Sequence, residues 1–172
     1  MQHEAVVCGK TVLLPDLRDL QQVLDYVVLH LRRQNRPSTE NGGEHCAYRS
    51  DTADPPLSCA VGCLIPDSAY DDTLEENAAD ARCVMDAVLS GRDDVSDLPR
   101  EHRRKLERLL EALQAVHDHL SADMYSSGQE AFDQKRLVRE CQLVATCFGL
   151  CRVTKAFSDH IHPDFQPKEP ND

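Results

Sequence analysis

Apolar residues recur at three- and four-residue spacing in four separate stretches of the chain, which predicts four amphipathic helices. In residues 16–34, Leu17, Leu20, Leu24, Val27, Val28 and Leu31 form one stripe, opened by Pro15 or Asp16 and barred from continuing by Pro37. A second helix is predicted from Thr73, because Thr73-Leu-Glu-Glu76 matches a capping box in which the hydroxyl takes a helical amide and the Glu reaches back. Leu74, Ala78, Ala81, Met85 and Val88 carry its buried face, and Gly91 stands where a left-handed terminal residue belongs. The third helix, from Pro99 to Leu120, has the strongest period: Leu106, Leu109, Leu110, Leu113, Val116 and Leu120. A second capping-box match, Ser127-Gly-Gln-Glu130, opens the fourth, which runs through Phe132, Leu137, Val138, Cys141, Val144 and Phe148 to Gly149. Val153, Phe157 and Ile161 predict a further turn within 150–162, and the polar, proline-containing composition from Pro163 onward predicts a loose tail.

Residues 35–72 interrupt this pattern. Asn41-Gly42-Gly43, Pro55-Pro56 and Pro66 punctuate the segment, and its one apolar run is Cys59-Ala-Val-Gly-Cys-Leu-Ile65. So long a stretch without regular structure needs a local anchor, such as a short hairpin or helix turn, a metal, or docking of Val61, Leu64 and Ile65 into the core. The expected fold is therefore mainly α: a single-domain bundle of four main helices over residues 1–162, with an irregular Cys-containing insertion at 35–72 between helices 1 and 2. Strand is expected at most as a short hairpin within 44–65.

Composition agrees with one helical core. The 172 residues suit one domain, and 5% aromatics without Trp leave Leu, Val, Ala and Cys to build it. Seven glycines argue against many tight hairpins. No stretch nears the roughly 18 apolar residues of a membrane span. Met1-Gln2-His3-Glu4 lacks the basic region and apolar run of a signal peptide, so a cytoplasmic location is expected. Without export, the eight cysteines read as reduced thiols. Cys83, Cys141 and Cys147 fall at helical apolar positions and read as small core hydrophobes, while Cys8 and Cys151 carry no signal.

The densest chemistry lies in the insertion, where His45, Cys46, Cys59 and Cys63 fall within 19 residues. Three thiols and an imidazole are a possible tetrahedral zinc set, yet the spacing C-x12-C-x3-C lacks the paired C-x2-C knuckles of strong zinc patterns. Packed reduced thiols, a disulfide, or a reactive Cys59 or Cys63 with His45, His117 or His119 as base are the alternatives. His117-Asp118-His119 resembles a metal motif, but helix residues two apart point about 200° apart, so the two imidazoles cannot share one ion.

Charge adds a second theme. The formal charge of −11 disfavours direct nucleic-acid binding and favours a basic partner surface. Residues 67–94 hold nine Asp or Glu against two Arg, whereas Arg100–Arg108 holds five basic residues against two acidic ones. Neighbouring elements that neutralise one another account for this, as does an acidic face offered to a basic groove. On the predicted second helix Asp72, Glu75, Glu76 and Asp80 fall on one ridge. With Asp71 and Asp86 they form the candidate partner-binding face.

Cys46-Ala-Tyr-Arg49, followed by Cys59-Ala-Val-Gly-Cys-Leu-Ile-Pro-Asp67 and Tyr70, resembles a motif of uncharacterised bacterial and phage proteins. The resemblance extends upstream to Val28-Leu29-His30-Leu31-Arg32-Arg33-Gln34 and downstream to Leu113-Gln114-Ala-Val-His117-Asp118, and it implies a phage or mobile-element setting without a mechanism. The function expected is that of a non-enzymatic acidic binding protein, a phage-type modulator or inhibitor of a host system. Its partner would be a basic protein surface, such as that of a nucleic-acid-binding host protein, with no membrane and no cofactor. The alternative is a small cysteine- or zinc-dependent enzyme, or a zinc-stapled module, centred on Cys46, Cys59 and Cys63.

Overall fold

The chain opens with a hairpin that the helical periodicity did not announce. Strands β1 (His3–Val7) and β2 (Lys10–Leu14) pair antiparallel, with His3 opposite Leu14 and Val7 opposite Lys10. Their two-residue turn places Cys8 at φ 49° and Gly9 at φ 72°, the doubly left-handed geometry whose twist suits a tight hairpin. This is a computed structural model, and it describes residues 3–40, 45–50, 56–79, 81–92, 95 and 97–151.

Helix α1 (Leu20–Gln34) starts four residues later than its apolar stripe implies, because Asp19 caps it by accepting from the Gln21 and Gln22 amides. It ends at Asn35, which takes the left-handed conformation at φ 52°. In the insertion, β3 (Thr39–Glu40) pairs with β4 (His45–Cys46) and β5 (Arg49–Ser50) with β6 (Leu57–Ser58), all antiparallel. The insertion thus carries two miniature hairpins, and short 3-10 turns follow at 62–64, 67–69 and 72–76. Strand is therefore more extensive than one hairpin within 44–65.

The predicted second helix divides. Asp71, not Thr73, is the capping residue: its carboxylate takes the Thr73 amide at 2.9 Å and starts only the five-residue 3-10 turn Asp72–Glu76. Asn77 then turns extended, and α2 (Arg82–Leu89) follows separately. Helix α3 (Arg100–Ser127) runs seven residues past Leu120, where its leucine stripe ends. Gly128, left-handed at φ 68°, ends it, so the second capping-box match falls on a helix stop. Helix α4 (Gln134–Cys147) is capped instead by Asp133, which accepts from the Lys135 and Arg136 amides.

Helices α1, α3 and α4 pack on one another, and one cluster of buried side chains joins them to the insertion. Val61, Leu64 and Ile65 are completely buried in that cluster, as expected of the insertion's apolar run. Among the cysteines Cys141 is buried as predicted, but Cys83 and Cys147 are exposed, since α2 and α4 turn those positions outward. No disulfide joins any of the eight cysteines. Among the described residues no helix is long and apolar enough to cross a membrane. The further turn predicted within 150–162 and the tail from Pro163 lie outside the described residues, apart from Leu150 and Cys151.

Candidate functional site

The polar residues of the insertion motif are occupied in building the insertion itself. Asp67 accepts from the Cys8 amide at 2.8 Å and the Gly9 amide at 2.9 Å, and so ties down the turn of the β1–β2 hairpin. Arg49 Nη1 donates to the same carboxylate at 2.6 Å, Nη2 donates to the Ile65 carbonyl, and the guanidinium lies 4.3 Å over the Tyr70 ring. Glu75 takes the Tyr48 amide at 2.6 Å, the Arg49 amide at 2.9 Å and the Tyr70 hydroxyl at 2.6 Å. Gly62 is required by close approach: a Cβ there would sit 1.9 Å from the Tyr48 carbonyl oxygen.

This framework leaves a pocket of about 290 Å³ between the insertion and α3. Cys46, Tyr48 and Glu75 line one side, and Glu111, Gln114 and Asp118 of α3 line the other. At its edge Cys46, His117 and Asp118 bring one ligand-type atom each to within 4.8 Å of the others, the one such trio among the described residues. The trio forms because α3 presents His117 inward, fully buried against Phe132 at 5.9 Å, while Asp118 stays half-exposed at the pocket.

Asp118 is the hub of the trio. Its Oδ1 lies 3.0 Å from His117 Nδ1 and accepts from Gln114 Nε2 at 2.6 Å. The Ser38 amide donates to His117 Nε2 at 3.2 Å, which leaves that nitrogen without a proton and assigns the ring proton to Nδ1, facing Asp118. Burial alone would raise the Asp118 pKa, but hydrogen bonds from His117, Cys46 and Gln114 outweigh it and hold the carboxylate below its usual range. Burial, reinforced by the Asp118 charge and by the hydrogen bond the thiol gives Asp118, pushes Cys46 up to about 12. Cys46 is thus a protonated donor at neutral pH, not a nucleophilic thiolate.

Of the residues proposed for a zinc set, Cys46 is not gathered with Cys59 and Cys63. Cys59 and Cys63 are buried in the core within their own turn, where the Gly62 amide donates to Cys59 Sγ and the Cys63 thiol donates to the Ala60 carbonyl, each at 3.3 Å. Burial raises both thiol pKa values well above the ordinary thiol range. Of the three candidates whose side chains are described, only Cys46 reaches the pocket. The backbone of His45 pairs with Glu40, and its side chain lies outside what is described. His117 and His119 point to opposite sides as the helical geometry requires, His117 inward and His119 exposed.

The acidic residues separate in the same way. Asp71, Asp72 and Glu76 are exposed on the 3-10 turn. Glu75 is turned inward as described, and Asp86 pairs with Arg103 at 3.0 Å and Arg82 at 3.6 Å. Asp80 lies outside the described residues. Among the described residues the acidic side chains do not share one helix, because the 3-10 turn ends at Glu76 and Asn77 is extended. Asp86 and Arg103 supply the neutralisation between neighbouring elements that the charge pattern suggested. Asp118, Gln114 and Glu111 were missed as a set; their i, i+3 and i+7 spacing on α3 marks a common face, but nothing in it points at Cys46.

No protein-family model, curated protein or solved structure matches this chain.

Proposed function

We propose that the protein is a stoichiometric binder of a basic protein surface, and that the pocket between the insertion and α3 receives a Lys or Arg side chain of that partner. The observation that carries this reading is the charge of the pocket wall: Glu75, Glu111 and Asp118 line it, and among the described residues no Lys or Arg does. Asp71, Asp72 and Glu76 extend the negative surface along the turn that supplies Glu75. An ammonium or guanidinium group entering there meets carboxylates on both walls, and complementary fields of this kind raise association rate and set orientation. Spaced carboxylates also stand in for phosphates, so a nucleic-acid-binding protein is the partner class such a face suits. Together with the motif resemblance this supports a phage-type modulator or inhibitor of a host system.

The second reading, a cysteine- or zinc-dependent enzyme centred on Cys46, Cys59 and Cys63, draws support from Cys46 alone, since the other two thiols face the core. The binding reading is tested with an oligoarginine peptide as probe, followed by calorimetry and by the amide signals of α3. Binding is expected to perturb Gln114 and Glu111, to weaken as salt rises, and to fall about tenfold or more in the double variant Glu76→Lys, Glu111→Lys. Equal affinity of variant and wild type, or binding indifferent to salt, would refute it.

A further inference from the structure

The strongest unexplained feature is the convergence of a thiol, an imidazole and a carboxylate at the edge of an open pocket. We propose that Cys46 Sγ, His117 Nδ1 and Asp118 Oδ1 form a site for a divalent transition metal of the zinc type, with the fourth coordination position facing the pocket. The inference does not rest on the basic-partner reading.

Geometry supports the assignment first. Donor atoms sharing a tetrahedral zinc with bonds of 2.0–2.3 Å stand roughly 3.3–3.8 Å apart. Here Nδ1 and Oδ1 are 3.0 Å apart, and all three donor atoms lie within 4.8 Å of one another. The Nδ1–Oδ1 pair needs to open by a few tenths of an ångström, and the longer separations to close by no more than about one ångström. Ligand chemistry agrees: thiolate, imidazole and carboxylate together suit zinc and disfavour calcium or magnesium, which take oxygen. Three protein ligands with a fourth position open to a pocket is the arrangement of a zinc that acts on something bound beside it. The carboxylate ligand is itself oriented by Gln114 Nε2 at 2.6 Å, a supporting contact of the kind that holds metal ligands in place.

In the metal-free form two protons occupy the place of the ion. The Cys46 thiol and the His117 Nδ1–H both point at Asp118. Metal binding replaces these hydrogen bonds with three coordination bonds. The thiol proton leaves to solvent, one per ion, and the imidazole proton moves from Nδ1 to Nε2. That transfer has a cost, because Nε2 then faces the Ser38 amide as a second donor. A buried amide that loses its acceptor weakens binding by roughly 5- to 150-fold, a small part of the affinity of a zinc site. The tautomer of His117 therefore reports occupancy.

The test uses the full chain in reducing, thiol-free buffer, titrated with Co²⁺ and then Zn²⁺ and with no peptide present. One Co²⁺ per chain should bind with a thiolate-to-cobalt charge-transfer band, which Zn²⁺ displaces. Nitrogen-15 spectra should show His117 changing from the Nδ1–H to the Nε2–H tautomer. Cys46→Ala should abolish the band, and Asp118→Asn should weaken binding about 10-fold or more while circular dichroism stays unchanged. His117 is fully buried, so its variant is not needed: the tautomer change reads its role in the wild-type chain. Absence of the band in wild type, or its survival in folded Cys46→Ala, would overturn the proposal. The second outcome would assign the ion to exposed Cys83, Cys147 or Cys151.

Discussion

Asp25 lies on the inward side of α1 with 4% of its surface exposed, where it accepts a hydrogen bond from Gln21 Nε2 at 3.0 Å. Burial raises its pKa from the ordinary 3.8 to about 6, against the lowering effect of the Gln21 bond and with a small push from Asp19. Between those values the folded chain holds a proton that the unfolded chain has lost, so this group makes stability fall as pH rises, and the loss is complete above about 6. His30 acts in the opposite sense. Burial lowers it from 6.5 to about 4, against the Ser58 carbonyl that its Nε2 meets at 2.9 Å. There the unfolded chain holds the extra proton, and stability falls as pH drops through that window. The two slopes oppose one another from about pH 4 to 6, so the wild-type stability profile should be nearly flat in that range. Asp25→Asn keeps the shape and the Gln21 contact but cannot ionise. It is expected to stabilise by about 2–3 kcal/mol at about pH 8 and by nothing at about pH 3. Urea denaturation at the two pH values decides this, and an equal effect at both would exclude a buried, ionised Asp25 as the cause.

Two helix starts show how local signals compete at the scale of the element. The Ser127-Gly-Gln-Glu130 pattern reads as a start, yet the Ser127 hydroxyl donates backwards to the Asp123 carbonyl at 2.7 Å and serves the end of α3. Asp133 accepts from the Lys135 amide at 2.9 Å and the Arg136 amide at 3.1 Å, and is the cap of α4. Asp133→Ala should therefore cost about 1 kcal/mol, whereas Ser127→Ala should stay within about 0.5 kcal/mol. Thermal melts of the two variants check the order, and a larger loss at Ser127 would reverse the assignment of the start. The leucine stripe of α3 was legible because its period spans many turns and one face is buried throughout. The first hairpin was not, since its turn uses Cys8 in a left-handed conformation that favours glycine, and this hides the usual turn signature. The capping box at Thr73 misled because Glu75 and its neighbours answer to tertiary partners: Glu75 takes two backbone amides and a hydroxyl across the insertion. The candidate site was half legible. Cys46 and His117 stood out as residues of interest, but the approach of one to the other depends on how the insertion lies on α3, and no local spacing encodes that.

For the whole molecule the question is whether the insertion is an appendage or part of the single core. Its apolar run is fully buried with the helices, and its polar staples reach far along the chain. Asp67 joins three regions at once: the β1–β2 turn through the Cys8 and Gly9 amides, the β5 strand through Arg49, and its own turn. Arg49 is only 10% exposed and Asp67 34% exposed, so solvent only partly screens their ion pair. Removing the carboxylate leaves a nearly buried guanidinium without its charged partner and two amides without acceptors. Partial exposure discounts the full penalty of a broken buried pair, so Asp67→Ala should cost about 2–4 kcal/mol, well above a typical exposed substitution. The loss should be shared. Because the hairpin, the insertion and the helices draw on one cluster of buried side chains, the variant should unfold in one transition at a lower midpoint, with unchanged slope in urea. Hydrogen exchange should then show the Val7 and Ile65 amides losing protection to the same extent. A loss under about 0.5 kcal/mol, or release of the hairpin in a separate early step, would show that Asp67 ornaments a core held together without it.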